Sequence, residues 1–341
     1  MAHSVGCIAT PSTMTPRGWS EPLAERRDPF SLTLGLVADV ELTGGPSRFD
    51  YQSLDIKSGR LYISHMGAGR VVVFDTKGRR LIKSISGFPT ATGILAVPEL
   101  HRVFVSVAGR HEVDALDDRT LEIVGRTGGV RFPDGIAYAP DVGRIFVSDE
   151  SGGVDVVIDG KTNARIATID LGGEAGNTRY DSVSHCVLVA VQTKNELVAI
   201  DPASHRIVAR YAIPCRGPHG FLIDEPGRFA YVTCEENARL VAVDLRTMLI
   251  GRRFPVGRDP DVLALDQGLG ILYVASEEGV VSIFDARQKP LRPVGVYRAP
   301  KAHSVAVNPS THEIYLPLAS VAGHPVLRIL TDVKLSNQLG R

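Results

Sequence analysis

The sequence has no run of about eighteen apolar residues, the length a helix needs to cross a membrane, so we expect no membrane insertion. It also has no excess of either charge, because Lys and Arg together number 38 and Asp and Glu together number 38. This balance provides no general attraction to nucleic acid or to an anionic membrane surface. We therefore expect a monomer whose partner is a small-molecule ligand, with no nucleic acid.

Several catalytic signatures are also absent. The sequence has no HExxH, GxSxG, GxxxxGK[ST] or GxGxxG motif, which excludes the common zinc-protease, serine-hydrolase and nucleotide-binding patterns. Residues 1–31 lack the apolar stretch of a secretory signal and predict a flexible leader, followed by one folded domain over 32–341. The sequence as it stands thus predicts a cytoplasmic protein, or a periplasmic one if the leader is incomplete.

Cysteine is scarce. The four cysteines show no CxxC spacing, which fits neither a disulfide-rich scaffold nor a structural zinc site. Cys215 and Cys234 nevertheless fall at the ends of strand-like segments in neighbouring repeats, where two thiols, a disulfide bond or a pair of soft metal ligands would all fit. The missing signal favours thiols, whereas a periplasmic location would favour the disulfide.

What the sequence does contain is a repeat of about 42 residues. Large apolar residues recur within strand-like segments at Tyr62, Phe104, Phe146, Leu188, Tyr231, Tyr273 and Tyr315. An aspartate ends a later segment at Asp75, Asp117, Asp159, Asp201, Asp244 and Asp285. Each repeat holds four short runs rich in β-branched and apolar residues, such as "GIAYA", "RIFVS", "VDVVID" and "ARIATID", with turn residues between them. The pattern predicts an all-β fold, a single seven-bladed β-propeller of four-stranded blades.

The ends of the chain indicate how such a ring would close. The seventh repeat has no fourth strand at its C-terminal end, whereas the segment "LTLGLVADVEL" at Leu32 offers a strand before the first repeat begins. We expect this N-terminal strand to complete the last blade, because an incomplete blade would leave an open sheet edge.

The repeat "PDGIAYAPDVGRIFVSDESGGVDVVIDGKTNARIATIDLGG" resembles the YVTN-type (YncE-like) β-propeller repeat. The shared features are a P-x-G-like entry, a turn before an aromatic–Val pair, and an apolar strand that ends in Asp; "GILYVAS" and "GRLYISH" are further matches. The resemblance covers residues 32 to about 330 and implies the fold. It implies no single activity, because propellers of this general kind include adhesins, nucleic-acid binders and enzymes.

Aspartate and histidine alternate where the first strand of each repeat begins. The seven equivalent positions are Asp50, Thr92, Asp134, Gly176, His219, Asp261 and His303, called here the mouth ring. Because the first strand of a propeller blade lies beside the central channel, we expect these residues to surround one mouth of that channel. Asp is also a common turn residue, as in the Asp134-Gly135 pair, so Asp134 and Asp261 each have an alternative role in capping a local turn.

Imidazole and carboxylate groups together suit a divalent metal ion such as Zn, Mn, Fe or Ni. We predict that His219, Asp261 and His303 bind this ion, since a catalytic site needs about three protein ligands and an open position. The predicted catalytic groups are Asp50, His65 and Asp134. Without a metal, the same groups would serve as acid and base.

Further polar residues at this face form the predicted substrate-binding set: Asn177, Arg179, Tyr180, His111, Glu150 and Glu235. Arg179 aligns with Ala137 on the inner strand, so its guanidinium would project into the channel and bind a carboxylate or phosphate by two parallel hydrogen bonds. Its alternative role is a salt bridge with Asp134. The set predicts a metal-assisted lyase or hydrolase acting on a small polar or anionic molecule. The alternative is a non-catalytic ligand-binding or protein-interaction scaffold.

Overall fold

The computed structural model describes residues 32–333, and the predicted leader over 1–31 lies outside the described residues. The described chain forms seven antiparallel sheets of four strands each, arranged in a ring, which confirms the β-propeller. Over residues 32–332 the helical structure consists of three-residue 3-10 turns: Met66–Ala68, Pro98–Leu100, Ala108–Arg110, Gln192–Lys194 and Glu235–Asn237. No helix in the described part of the chain is long and apolar enough to span a membrane.

The strands follow the sequence repeat blade by blade. Blade 1 comprises β2 (Gln52–Asp55), β3 (Arg60–His65), β4 (Arg70–Asp75) and β5 (Arg80–Ser86). Blade 2 comprises β6 (Ala91–Val97), β7 (Arg102–Val107), β8 (Glu112–Asp117) and β9 (Ile123–Gly128). Blade 3 comprises β10 (Pro133–Ala139), β11 (Arg144–Asp149), β12 (Val154–Asp159) and β13 (Arg165–Asp170). Blade 4 comprises β14 (Ala175–Asp181), β15 (Cys186–Val191), β16 (Glu196–Asp201) and β17 (Arg206–Ala212). Blade 5 comprises β18 (Pro218–Asp224), β19 (Phe229–Cys234), β20 (Arg239–Asp244) and β21 (Ile250–Pro255). Blade 6 comprises β22 (Pro260–Asp266), β23 (Ile271–Ser276), β24 (Val280–Asp285) and β25 (Arg292–Arg298).

Blade 7 closes the ring as expected. Its strands β26 (Ala306–Asn308), β27 (Glu313–Val321) and β28 (His324–Asp332) come from the end of the chain, and β1 (Leu34–Glu41) adds the outermost strand. β1 runs antiparallel to β28, with Leu34 opposite Asp332 and Glu41 opposite Val326. The first and last parts of the fold therefore share one sheet.

Two physical causes explain the repeat markers. The recurring large residue of each second strand is buried between sheets, as at Phe146 and Tyr231, which are both fully buried. The recurring aspartate accepts hydrogen bonds from backbone N–H groups of the turn that follows. The Asp159 carboxylate, for example, accepts from the amides of Lys161 and Thr162 at 3.0 and 2.9 Å. The recurring large residues and aspartates thus reflect packing between sheets and turn geometry that are repeated from blade to blade.

An irregularity in the pairing recurs where the first strand of most blades begins. In blades 2 to 6 the register of the first and second strands shifts at the entry of the first strand, as in a β-bulge. In blade 5, Pro218 pairs with Cys234 and Phe221 pairs with Val232, so His219 and the residue after it lie opposite a single residue, Thr233. The Thr233 hydroxyl donates to the carbonyl of the bulge at 2.8 Å.

The closing strand gives a test of the fold. Deleting residues 32–42 removes β1 and leaves β28 with an unpaired edge, so we expect aggregation or a large loss of stability. Gel filtration and thermal melting measure both effects. The matched control is Leu36→Asn, because the Leu36 side chain is 61% exposed on the same strand and this variant should stay monomeric. A truncated protein that remains monomeric with an unchanged melting temperature would rule out this closure.

A buried carboxyl group in blade 3 gives a second test. Asp155 on β12 is fully buried, and its two carboxyl oxygens have no hydrogen-bond partner of good geometry among the described residues. Burial raises the pKa of Asp155 to about 7, although the nearby Thr178 hydroxyl opposes the rise. The folded protein therefore holds this proton at pH values where the unfolded chain has lost it.

The free energy of unfolding should consequently fall as the pH rises from about 4 to above 7, by on the order of 3–4 kcal/mol from this group. Asp155→Asn cannot ionise and should lose this part of the pH dependence, which urea unfolding at pH 5 and pH 8.5 would show. Asp170→Asn is the control, because Asp170 lies exposed on the same blade. Equal pH dependence in wild type and Asp155→Asn would show that the carboxyl group ionises normally.

Candidate active site at the channel mouth

The polar members of the mouth ring meet at one end of the channel. Asp50, Asp134, His219, Asp261 and His303 are all 3–7% exposed, although they come from five different blades. Thr92, the ring residue of blade 2, is also buried and donates to the Pro133 carbonyl at 2.7 Å. Five ionisable groups are thus held together with little contact with solvent.

Tyr51 lies at the centre of this cluster. Its hydroxyl oxygen is 2.9 Å from Asp261 Oδ1 and 3.4 Å from both Asp134 Oδ2 and His219 Nε2. Asn177 Nδ2 donates to the same hydroxyl at 2.6 Å. One phenol from blade 1 therefore joins groups from blades 3, 4, 5 and 6 across the channel.

Asp261 lies between the two ring histidines. Its Oδ2 is 3.0 Å from His303 Nε2, and its Oδ1 is 3.5 Å from His219 Nε2. His303 Nε2 is also 3.1 Å from Asp50 Oδ1, and His219 Nε2 is 3.6 Å from Asp134 Oδ2. The five groups form a continuous chain of alternating carboxylates and imidazoles.

This alternation separates the protonation states of the groups. Burial alone would raise the pKa of Asp261, but the two neighbouring imidazoles hold it well below its usual range. Burial raises the pKa of Asp134 well above its usual range. Burial would lower the pKa of His219, yet Asp261, Glu235 and Asp134 raise it to about 9. Near neutral pH the cluster therefore contains an ionised Asp261 beside a protonated Asp134, an arrangement that suits acid–base chemistry.

A second, more exposed layer covers the ring. Glu150, Glu235 and Glu277 follow the second strands of blades 3, 5 and 6, and Arg48 comes from the segment before blade 1. Glu277 Oε1 is 3.2 Å from His303 Nδ1 and 2.8 Å from Arg48 Nη1. Burial raises the pKa of Glu235 to about 7 and also raises the pKa of Glu150. This outer layer is the surface that an entering molecule would meet first.

The predicted site residues His65 and His111 do not join the cluster. His65 is fully buried, and its ring stacks on Phe49 at 3.8 Å while its nitrogens bond Ser47 and the Thr43 carbonyl at 3.0 Å each. His111 is exposed in a left-handed turn, where Nδ1 lies 2.6 Å from the Arg131 carbonyl. These contacts with His65 all come from the loop before blade 1, so His65 is a packed, buried residue and does not face the channel mouth.

Arg179 and Tyr180 lie beyond Tyr51, on the side away from the ring. Strand β14 runs from the mouth toward the opposite face, and Arg179 is two residues further along it than Asn177, which contacts Tyr51. The Tyr180 hydroxyl donates to Asp141 at 2.5 Å, outside the mouth. Arg179 makes no ion pair with Asp134 or with any other described carboxylate, and its Nη1 donates to the Thr178 carbonyl at 3.0 Å.

Two residues of the site, Tyr51 and Arg48, were missed by the sequence analysis, and Glu277 was left out of the predicted site set. A signal for Tyr51 was present, because the residue after the ring position is glycine in blades 2, 3 and 5 but tyrosine in blade 1. A Cβ at Gly220 would lie 1.7 Å from the Asp261 carbonyl oxygen, so blade 5 needs glycine there. Glu277 occupies the same repeat position as the predicted Glu235. Arg48 precedes the repeat and carried no comparable signal.

Cys215 and Cys234 form a disulfide bond, with their Cα atoms 6.0 Å apart. The thiol interpretation that the missing signal favoured is therefore wrong. The bond fastens the connection between blades 4 and 5 to the end of β19, directly before Glu235. It holds the outer-layer carboxylate near His219, whose Nδ1 lies 4.0 Å from Glu235 Oε1.

Two overlapping groups of side chains have ligand atoms close enough to hold a metal ion. One consists of Asp50, Asp261 and His303, and the other of His219, Glu235 and Asp261. In each group the ligand atoms lie within 4.8 Å of one another. Asp261 is shared, so the ligands predicted from sequence fall into two adjacent groups.

Comparison with known proteins supports the fold alone. No protein-family model matches the chain, and no curated protein sequence matches it. Among solved structures, a hydrazine synthase of Kuenenia stuttgartiensis matches with a TM-score of 0.69 and 17% sequence identity, covering 84% of this chain and 96% of that chain. At this identity the similarity shows a shared propeller architecture, and the YVTN-type assignment stays a prediction.

Tyr51 provides the test of the cluster. Tyr51→Phe removes the hydroxyl shared by Asn177 and Asp261 and leaves buried polar atoms without a partner, so we expect a loss of about 1–3 kcal/mol in the free energy of unfolding. Urea unfolding at neutral pH measures the loss. Tyr138→Phe is the matched control, because Tyr138 also lines the channel but its hydroxyl has no hydrogen-bond partner among the described residues. Equal effects of the two substitutions would contradict a central role for the Tyr51 hydroxyl.

Proposed function

We propose that the protein binds a divalent metal ion at the channel mouth and acts as a metal-assisted lyase or hydrolase on a small polar molecule. The observation that carries the proposal is the position of Asp261, a buried carboxylate with one oxygen toward each of two buried histidines. Nitrogen and oxygen ligands of this kind suit Zn, Mn, Fe or Ni. Asp50 and Glu235 would complete the ligand set on either side.

The charge of the mouth supports a cation. Six carboxyl groups converge there: Asp50, Asp134, Glu150, Glu235, Asp261 and Glu277. Only His219, His303 and Arg48 oppose them among the described residues that contact this cluster. The raised pKa of Asp134 means that a bound proton offsets part of this imbalance. A divalent ion would offset it more strongly and would release protons on binding.

The remaining groups have assignable roles in catalysis. A bound ion would polarise a carbonyl or phosphoryl oxygen of the substrate. Asp134 contacts the same Tyr51 hydroxyl as Asp261 and holds a proton, so it is the candidate general acid. The surrounding carboxylates disfavour an anionic substrate at this mouth unless a bound metal ion neutralises their negative charge. A neutral or cationic small molecule therefore fits the site better.

The disulfide bond bears on where this chemistry takes place. Disulfide bonds persist in oxidising compartments and are rare in the cytosol. The Cys215–Cys234 bond therefore supports the periplasmic alternative over a cytoplasmic location.

Metal analysis of the purified protein tests the proposal. The wild type is incubated with Zn, Mn, Fe or Ni and passed through gel filtration. Inductively coupled plasma mass spectrometry should then find at least one metal ion per chain. Asp261→Asn should reduce the retained metal by about tenfold or more, because both candidate groups lose their shared ligand. His219→Ala and His303→Ala then show which group holds the ion, and we expect His219→Ala to reduce occupancy sharply.

His111→Asn is the control, since His111 lies outside the cluster and Asn tolerates its left-handed backbone conformation. Absence of metal from the wild type under every supplementation would refute the metal site, as would full occupancy in Asp261→Asn. Retained metal without turnover of any lactone, ester or elimination substrate would favour the non-catalytic ligand-binding role.

A further inference from the structure

The channel continues beyond Tyr51 as a cavity of about 490 Å³. Tyr51 and Asn177 line its inner end, but none of the acids or histidines of the mouth ring lines it. The walls include the apolar side chains of Ile94, Leu95, Ile136 and Ala137. Residues at the ends of first strands, such as Val97 and Tyr180, also line it, so the cavity extends toward the face opposite the mouth. Tyr51 thus separates two differently lined parts of one channel.

Arg179 is the basic residue that lines this cavity. The equivalent positions in the other blades carry Ser53, Leu95, Ala137, Leu222, Ala264 and Ala306, so blade 4 alone has a charge there. One hydrogen bond, to the Thr178 carbonyl, uses only part of a guanidinium that has five N–H donors. Protein atoms surround the side chain, yet it retains partial contact with the cavity.

Burial lowers the pKa of Arg179, and the distant Tyr51, Asp134 and Asp261 offset this only in part. The guanidinium nevertheless remains charged at any physiological pH. A charged group enclosed without a paired carboxylate is costly unless another anion is supplied. The remaining N–H donors of Arg179 are therefore available to an anion that enters the cavity.

We propose that this cavity is a second binding site, for a small monocarboxylate with an apolar body. Arg179 would hold the carboxylate by two parallel hydrogen bonds, and the apolar walls would cover the body. The volume lies within the range of small-molecule sites. Glu99 and Glu225 also line the cavity, and their charges disfavour anions of higher charge such as phosphate. The site does not depend on a metal ion at the mouth.

Titration calorimetry on the full chain tests the proposal, with benzoate and hexanoate as probes and inorganic phosphate as the more highly charged comparison. The wild type should bind a carboxylate probe more tightly than phosphate. Arg179→Gln should weaken binding of that probe by about tenfold or more, the effect of losing a hydrogen-bonded charge. Arg179→Lys should also weaken it, because lysine lacks the fork geometry.

The exposed Arg119→Gln makes the same chemical change in a surface turn of blade 2 and should bind like the wild type. Asp261→Asn should also retain carboxylate binding, so failure of the metal site and failure of this site can be told apart. The proposal is overturned if neither carboxylate binds the wild type. It is also overturned if folded Arg179→Gln, verified by its circular dichroism spectrum, binds as tightly as the wild type. Tighter binding of phosphate than of either carboxylate would contradict the proposal that the ligand is a monocarboxylate.

Discussion

The pairing of β1 with β28 is the interaction on which the rest of the molecule depends. It places the two ends of the described chain in one sheet, so that seven separate blades become a closed ring around a channel. The candidate site lies across this closure. His303 of blade 7 and Asp50 of blade 1 are 253 positions apart in the sequence, yet their side chains meet at 3.1 Å. A ring without this strand would have neither a defined channel nor a defined mouth.

The mouth concentrates ionisable groups that a purely structural core would avoid. Burying carboxyl groups costs free energy unless protons, hydrogen bonds or opposite charges compensate. Here His219 and His303 compensate Asp261, and a retained proton compensates Asp134. Sites that break the ordinary rules of burial in this way are often functional. This reasoning supports catalysis or cation binding at the mouth more than a role in stability.

Tyr51 divides the channel into two chemical environments. Carboxylates and imidazoles surround the mouth, whereas the cavity beyond Tyr51 has apolar walls together with Arg179, Glu99 and Glu225. The phenol contacts Asp261 on one side and lines the Arg179 cavity on the other. A single side chain, at a position where three other blades have glycine, thus separates the acid- and histidine-rich mouth from the cavity lined by Arg179.

The sequence by itself determined the repeat, the number of blades, the four strands of each blade and the closing strand, because packing and turn requirements recur every 42 residues or so. It also placed Asp134, His219, Asp261 and His303 at one mouth, since the repeat fixes where each first strand begins. Only the tertiary structure decided what crosses the channel: the Tyr51 hydroxyl meets partners 83 to 210 positions away. It likewise covered His65 with the loop before blade 1 and placed Arg179 beyond Tyr51. These outcomes depend on the path of the loop before blade 1 and on side-chain contacts between distant blades, which a repeat pattern does not encode.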